Sequence, residues 1–344
     1  MIIHSFTNDY SEGCHPAVLQ ALAHTNLEQQ TGYGEDEYSL RAASTLRTLI
    51  GKPDADVYFV AGGTLANLLV LSSVLKPFES VISAETGHIN THEAGAIEAT
   101  GHKVEAIISP DGKLCPEDIQ PLLDKFPLYH TVRPRVVYIS NSTEIGTIYT
   151  KMELTELSEF CRTNDLILFM DGARLPSAVT AHSNELTLAD IARLTDVFYL
   201  GGTKCGALFG EAVVITNDAL KKDFPYHQKQ RGAMLAKGRS LGVQFDALLQ
   251  DNLIFDLARH ANEMAVKISH ALKVKGHHNF LTDSDTNQIF PVLHYRTINE
   301  LQKRYGFYVW EHINEEEAAV RIVTSWATPE EKIDAFIADL ERNL

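Results

Sequence analysis

The chain reads as an α/β protein with a mainly parallel seven-stranded sheet in a large domain and a small C-terminal α+β domain. Three observations predict this. Seven short β-rich runs alternate with helical patterns between residues 57 and 216. Strands separated by helices need crossover connections, which give parallel sheets covered on both faces. Beyond residue 240 the order changes to a long helical region followed by β-α-β-β-α. The 344 residues, 44% hydrophobic and 22% charged, suffice for roughly two domains at about 150 residues each.

The elements follow in order. VYFV (57–60) precedes a helix near 64–75, and SVIS (80–83) precedes a loop and a helix near 91–100. KVEAIIS (103–109), a helical PEDIQPLLDKF (116–126), RVVYIS (135–140) and a helix over 151–164 come next. LILFMD (166–171), a helix near 187–194, DVFYL (196–200) and AVVIT (212–216) complete the alternating part. A long helical region spans roughly 240–275, then QIFPVL (288–293), helical RTINELQKRY (296–305), GFYVWEHI (306–313) and AAVRIVTSWA (318–327). Thr328-Pro329-Glu330-Glu331 reads as a capping box: Thr328 at the N-cap, proline at the first helical position, Glu331 at N3. The expected division is an N-terminal arm (1–30), a large domain (31–240), and a linking helix with the small domain (241–344).

The net charge of −15 argues against nucleic acid, whose phosphates need a basic face. Four cysteines without a CxxC suggest a reducing compartment, expected to be the cytoplasm. The N-terminus lacks a basic region followed by an apolar one, so no signal peptide is expected. Val57 to Leu75 is uncharged over the length of a membrane span. Gly62, Gly63, Thr64, Asn67, Ser72 and Ser73 within it predict instead a buried strand, a turn and a buried helix.

Ligands of parallel α/β sheets gather at the carboxyl ends of the strands, and four such positions carry unusual chemistry. After VYFV, Gly62-Gly63-Thr64 opens a helix. It is either a plain tight turn or a cradle in which free N–H groups and the positive helix end hold phosphate. After SVIS, His88 and His92 lie four apart with Glu93 beside them; they can be structural, stack on a cofactor, or share a metal. Asp171 closes an apolar strand, where a carboxylate needs a partner: a cation such as Arg174, or a protonated ring nitrogen. Lys204 follows Gly201-Gly202-Thr203 with little bulk around it. It is an ordinary surface lysine or a desolvated nucleophile able to form a Schiff base. Together these four parts suit pyridoxal phosphate.

With YGEDEYS (33–39), GGTLAN (62–67), HINTHEAG (88–95), MDGARL (170–175), GGTKCG (201–206) and VRIVTSW (320–326), the chain resembles, over its whole length, the threonine aldolase/β-eliminating lyase family of fold-type I pyridoxal-phosphate enzymes. The resemblance implies a fold-type I, transferase-like architecture and a cofactor of pyridoxal 5'-phosphate. It makes Lys204 the Schiff-base lysine, pairs Asp171 with the pyridine nitrogen, and stacks His88 on the ring. Gly63 and Thr64 would hold the phosphate with Thr203 beside them, and no metal is implied. Arg174 and Arg321 would grip the substrate carboxylate. Arg231 and Arg239, in KQRGAMLAKGRS (229–240), are candidates to reach the phosphate of a neighbouring subunit in a dimer or tetramer with shared sites. Two positions depart from the family pattern. Asn8 stands where a serine commonly contacts the substrate carboxylate. In ISNSTEIGT (139–147), Thr143 or Glu144 stands where many members have a histidine, so Glu144 or His92 would accept the β-hydroxyl proton.

The expected activity is cleavage of β-hydroxy-α-amino acids, of the threonine, allo-threonine or phenylserine type, to glycine and an aldehyde. The alternatives are β-elimination or transamination on the same scaffold, a catalytically silent protein of this fold acting as a binding partner, or a metal enzyme using His88, His92 and Glu93. No membrane partner is expected.

Overall fold

The computed structural model describes residues 2–125 and 129–344. The chain opens with a two-residue strand, β1 (His4–Ser5), and two helices, α1 (Pro16–Thr25) and α2 (Glu37–Leu49). The alternating part contains β2 (Asp56–Val60), α3 (Gly63–Val74), β3 (Glu79–Ala84), α4 (His88–Thr91), β4 (Lys103–Ile107), α5 (Pro116–Leu123), β5 (Arg133–Ser140), α6 (Lys151–Thr163) and β6 (Ile167–Asp171). It continues with α7 (Leu175–Thr180), α8 (Leu188–Leu194), β7 (Val197–Gly201), β8 (Glu211–Ile215) and α9 (Phe224–Gln230). α10 (Arg239–Leu249) and α11 (Leu253–Val274) lead to β9 (Gln288–Ile289), β10 (Val292–His294), α12 (Tyr295–Gln302), β11 (Tyr305–Gly306), β12 (Tyr308–His312), β13 (Glu317–Val323) and α13 (Glu330–Asn343).

The seven predicted strands form one sheet in the order β2-β8-β7-β6-β5-β3-β4. All pairings are parallel except those of β8, which runs antiparallel to both β2 and β7. Alternate residues of each strand feed different cores. Ile139, Met170 and Leu200 pack with α2, α6, α8 and α10 on one face; Tyr138, Phe169 and Tyr199 pack with α3 and α9 on the other. Both faces are therefore dry, as the near-continuous apolar strands require. A third core gathers β9–β13, α11, α12 and α13 around Phe6 and Phe336.

The carboxyl ends of β2, β7, β6 and β5 meet at one sheet edge. Because β8 is reversed, its first residue joins them: Glu211 pairs with Val60 on one side and Gly201 on the other.

Several expected elements differ. The helix near 91–100 is the single turn α4 and a 3₁₀ turn at Glu98–Thr100, interrupted by positive φ at Ala94 and Gly95. The long helix over 240–275 breaks between α10 and α11, where Asp251 and Asn252 take left-handed backbone. QIFPVL is split into β9 and β10 around Phe290-Pro291. Thr328 does not cap α13: Pro329 is extended (ψ 139°), and the Thr328 hydroxyl accepts from the Ser325 N–H instead. Phe126, the end of the expected 116–126 helix, lies outside the described residues. No helix among the described residues is long and apolar enough to cross a membrane.

Candidate active site

The strand ends open into a cavity of about 300 Å³, at the lower end of the range of small-molecule sites. It brings together Gly63, Thr64, His88, His92, Glu144, Asp171, Arg174, Thr203, Lys204 and Arg321, ten of the thirteen predicted site residues. Asn8, Arg231 and Arg239 are not part of its lining.

Asp171 is buried at the end of β6 and both its carboxylate oxygens are hydrogen-bonded, with accepting capacity left on Oδ1. Oδ2 accepts from Tyr138 Oη (2.5 Å) and Asn67 Nδ2 (3.0 Å), and Oδ1 from the Ala173 N–H (3.0 Å). Burial alone would raise its pKa; the His88 ring and the hydrogen bonds from Tyr138, Tyr199 and Ala173 outweigh burial and hold the carboxyl below its ordinary value. Asn67 also donates to Glu93 Oε1 (2.7 Å), which meets His88 Nδ1 at 2.8 Å. One amide thus links Asp171 to the His88–Glu93 pair.

The His88 and His92 rings stack at 5.6 Å and 18°, and Trp310 lies parallel beyond His92. Among the described residues no group of three or more His, Cys, Asp or Glu side chains could hold a metal ion. Glu93, weighed as a metal ligand, is an internal partner of His88.

Lys204 follows the turn after β7, where the Gly202 and Thr203 amides bond the Gly210 carbonyl. Its amine makes no hydrogen bond or ion pair among the described residues. Burial and the nearby Arg174 lower its pKa, against opposing pulls from Asp9, Asp171 and Glu211. α3 begins beside it with Gly62 at the N-cap and no side-chain cap. Its first turn therefore presents donors and a positive helix end to the cavity. A β-carbon on Gly63 would stand 3.1 Å from the Tyr199 hydroxyl, so a larger residue there would press on Tyr199.

The opposite wall is built by the N-terminal segment and β12–β13. Arg174 is already committed: its Nε and Nη2 donate to the buried Asp9 at 2.8 and 3.0 Å, and Asn287 Nδ2 donates to the same carboxylate. Arg321 is not committed. Its buried Nε lacks a hydrogen-bond partner among the described residues, its guanidinium lies 5.3 Å from the Trp310 ring centre, and burial together with Arg174 lowers its pKa to about 10.

Glu144 sits near the end of β5. Its Oε1 accepts from the His88 N–H (3.0 Å) and Ser140 Oγ (2.7 Å), and burial raises its pKa. His92, also on the cavity, is shifted down by burial and by His88.

Asn8 does not reach the cavity. Its Oδ1 accepts from the Tyr10 N–H and Ser11 Oγ and closes a local turn; of this segment Tyr10 lines the cavity, and the buried Asp9 supports Arg174 from behind. Arg239 donates to the carbonyls of Thr25 and Glu28. Arg231 is exposed, with Ser72 Oγ as its partner.

Sequence reasoning missed Asp9, Asn67, Tyr138, Tyr199, Glu211 and Trp310. Two carried a signal: Asn67 is a lone amide in an apolar helix, and Glu211 opens an apolar strand as Asp171 closes one.

A family model described as beta-eliminating lyase matches residues 6–295. The chain belongs to the beta-eliminating lyase family. Among its relatives, the low specificity L-threonine aldolase of Pseudomonas sp. (strain NCIMB 10558) is 34% identical, covering 97% of this chain and 96% of the relative. The enzyme of that name from Pseudomonas aeruginosa is 32% identical over the same shares. A solved structure of Leishmania major threonine aldolase superposes with a TM-score of 0.96 at 48% identity, covering 98% of this chain and 99% of that one. A Thermus thermophilus aspartate aminotransferase double mutant shares the fold alone (TM-score 0.72, 14% identity, covering 100% and 92%). This lyase therefore has the fold-type I architecture.

Proposed function

We propose that this lyase cleaves β-hydroxy-α-amino acids of the threonine type to glycine and an aldehyde, using pyridoxal 5'-phosphate. The observation that carries the reading is Lys204: an amine without a partner among the described residues, on one cavity with the buried, hydrogen-bonded Asp171. The uncapped start of α3 on the same cavity suits a phosphate. Such a donor set fits the cofactor, which when bound supplies an electron sink for charge developing at the substrate Cα.

The chain's residues then divide the work. Lys204 would hold the cofactor through Nζ. Asp171, kept ionised, would hold a proton at the pyridine nitrogen. His88, aligned by Glu93, would lie against the ring. Arg321 binds the substrate carboxylate through its unpaired guanidinium, and Arg174 offers the nitrogen that Asp9 leaves free. Orienting the carboxylate sets which bond at Cα breaks.

Glu144 accepts the β-hydroxyl proton at Oε2, since Oε1 is anchored and burial raises its affinity for a proton. His92 is the second candidate.

Arg231 is the residue available to reach a neighbouring subunit's phosphate in a dimer or tetramer, because Arg239 is spent on Thr25 and Glu28. A cytoplasmic location is part of this reading, supported by four free cysteines.

The test is product analysis. Protein loaded with pyridoxal phosphate and given threonine or allo-threonine should release glycine and acetaldehyde in equal amounts. Release of a keto acid with ammonia instead assigns β-elimination, and no turnover defeats the enzymatic reading.

A further inference from the structure

Glu211 is only 3% exposed, yet it lines the same cavity as the α3 cradle and Lys204. It enters this site only because β8 is reversed, which places its backbone between Val60, just before the cradle, and Gly201, just before the lysine turn. Its Oε1 accepts from Thr203 Oγ1 (2.8 Å) and its Oε2 from the Gly202 N–H (3.1 Å). Thr203 Oγ1 in turn accepts from the Gly210 N–H (2.9 Å).

A hydroxyl has one proton to give and two lone pairs. With Glu211 ionised, the Thr203 proton points away from the cavity, into the carboxylate. A phosphate dianion in the cradle would then face a second buried anion and an oxygen with no proton to offer it. A single proton added to Glu211 resolves both conflicts. Oε1 becomes the donor to Thr203, Oε2 still accepts from Gly202, and Thr203 still accepts from Gly210. The Thr203 proton then leaves the carboxylate and can turn into the cavity, in competition only with the long contact to the Gly210 carbonyl (3.4 Å). No bond is broken, and the proton comes from solvent.

We propose that Glu211 is protonated whenever the cradle holds a phosphate, so that the phosphate-bearing ligand binds with uptake of one proton and Thr203 acts as the donor this releases. The proposal rests on the cofactor reading given above.

The charges around Glu211 agree with it. β6 contributes Asp171, which disfavours ionisation, and β7 contributes the neutral Tyr199; the lysine turn contributes Lys204, which favours ionisation. Ala61, Gly62, Gly63 and Thr64, from the β2–α3 side, bring no charge. Burial outweighs the Thr203 and Lys204 contributions and raises the Glu211 pKa to about 8 even before an anion arrives.

The test uses the apoprotein and pyridoxine 5'-phosphate, which lacks the aldehyde and cannot condense with Lys204. Titration calorimetry at about pH 9, in buffers of different ionisation heat, should show uptake of about one proton, since the phosphate itself, with a second pKa of ~6, is already a dianion. Affinity should fall about tenfold from pH 8.5 to 9.5. Glu211→Gln, which keeps an N–H to give Thr203, should take up no proton. Without the variant, pyridoxine lacking the phosphate should bind wild-type protein with no uptake. Equal uptake in wild type and Glu211→Gln assigns the proton to Lys204 and overturns the proposal, as does equal uptake with both ligands. Binding of pyridoxine phosphate without uptake overturns this proposal alone, whereas no binding at all overturns it together with the cofactor reading.

Discussion

At the strand-end wall of the cavity, Asp171 accepts from Tyr138 of β5 and Asn67 of α3 at one oxygen and from the Ala173 N–H, in the turn after β6, at the other. Facing it, Arg321 keeps a buried Nε without a hydrogen-bond partner among the described residues. Asp9 and Arg174, between them, are a matched and closed pair. Burying an unpaired polar group costs free energy, and a carboxylate ligand in the cavity would complete this cation. The wall assigned to the cofactor is prepared in advance; the wall assigned to the substrate has one cation waiting. This contrast separates two kinds of variant, those that remove chemistry and those that remove affinity.

The largest effect is expected at Lys204. Lys204→Ala should lower turnover more than about a thousandfold while the thermal transition stays near wild type, because the amine bonds nothing that holds the fold. Wild-type turnover in this variant would remove Lys204 from the site.

Breaking the closed pair should cost stability. Asp9→Ala leaves the Arg174 guanidinium uncompensated, and urea denaturation should show a loss of about 3–5 kcal/mol at neutral pH. The Asp9 carboxyl is buried, which would raise its pKa, but Arg174 and Lys204 pull it below the ordinary range. Its contribution to stability is therefore complete above the ordinary carboxylate range and lost as pH falls through the lowered value. The gap between wild type and variant should narrow in acid; a gap constant with pH would contradict the ion pair.

Arg321→Leu sharpens the comparison in the other direction. A charge-assisted bond of about 1.5–3 kcal/mol to the substrate carboxylate corresponds to roughly a 10- to 150-fold rise in KM. Stability should fall by no more than the cation–π contact with Trp310, about 0.5–1 kcal/mol. Unchanged KM with lower stability would make Arg321 structural.

The alternating sheet was legible because its strands are apolar runs ended by chemistry: Asp171 after LILFM, Gly201-Gly202-Thr203-Lys204 after DVFYL. α1 and α2 were missed because they precede the strand–helix alternation; α1 is apolar over most of its length yet buries only Val18 and Thr25. The broken 240–275 helix was missed because Asp251 and Asn252 adopt positive φ without glycine. Among site residues, those following a strand on the main path were found. Glu211 was not, because it precedes its strand, and only the reversed β8 carries a strand's first residue to the working edge. Asn8 stands at the position matched to the family's serine, whereas the buried partner of Arg174 is its neighbour Asp9, which position along the chain does not reveal.

Smaller effects are expected at the two positions where the sequence departs from the family pattern. Glu144→Gln should lower turnover on β-hydroxy amino acids about tenfold, or 1.4 kcal/mol, with KM little changed. Full activity there, with a large loss in His92→Ala, would move the proton to His92. Asn8→Ala should change kinetics by less than twofold and stability by about 0.5–1 kcal/mol, since only a turn is lost. A raised KM in Asn8→Ala would restore it to the substrate wall.

The most direct test of the prepared wall is chemical. Protein loaded with pyridoxal phosphate is reduced with borohydride, digested and sequenced by mass spectrometry. A single pyridoxyl adduct on Lys204, absent from Lys204→Ala, is the predicted result; an adduct on another lysine, or none, would contradict the assignment.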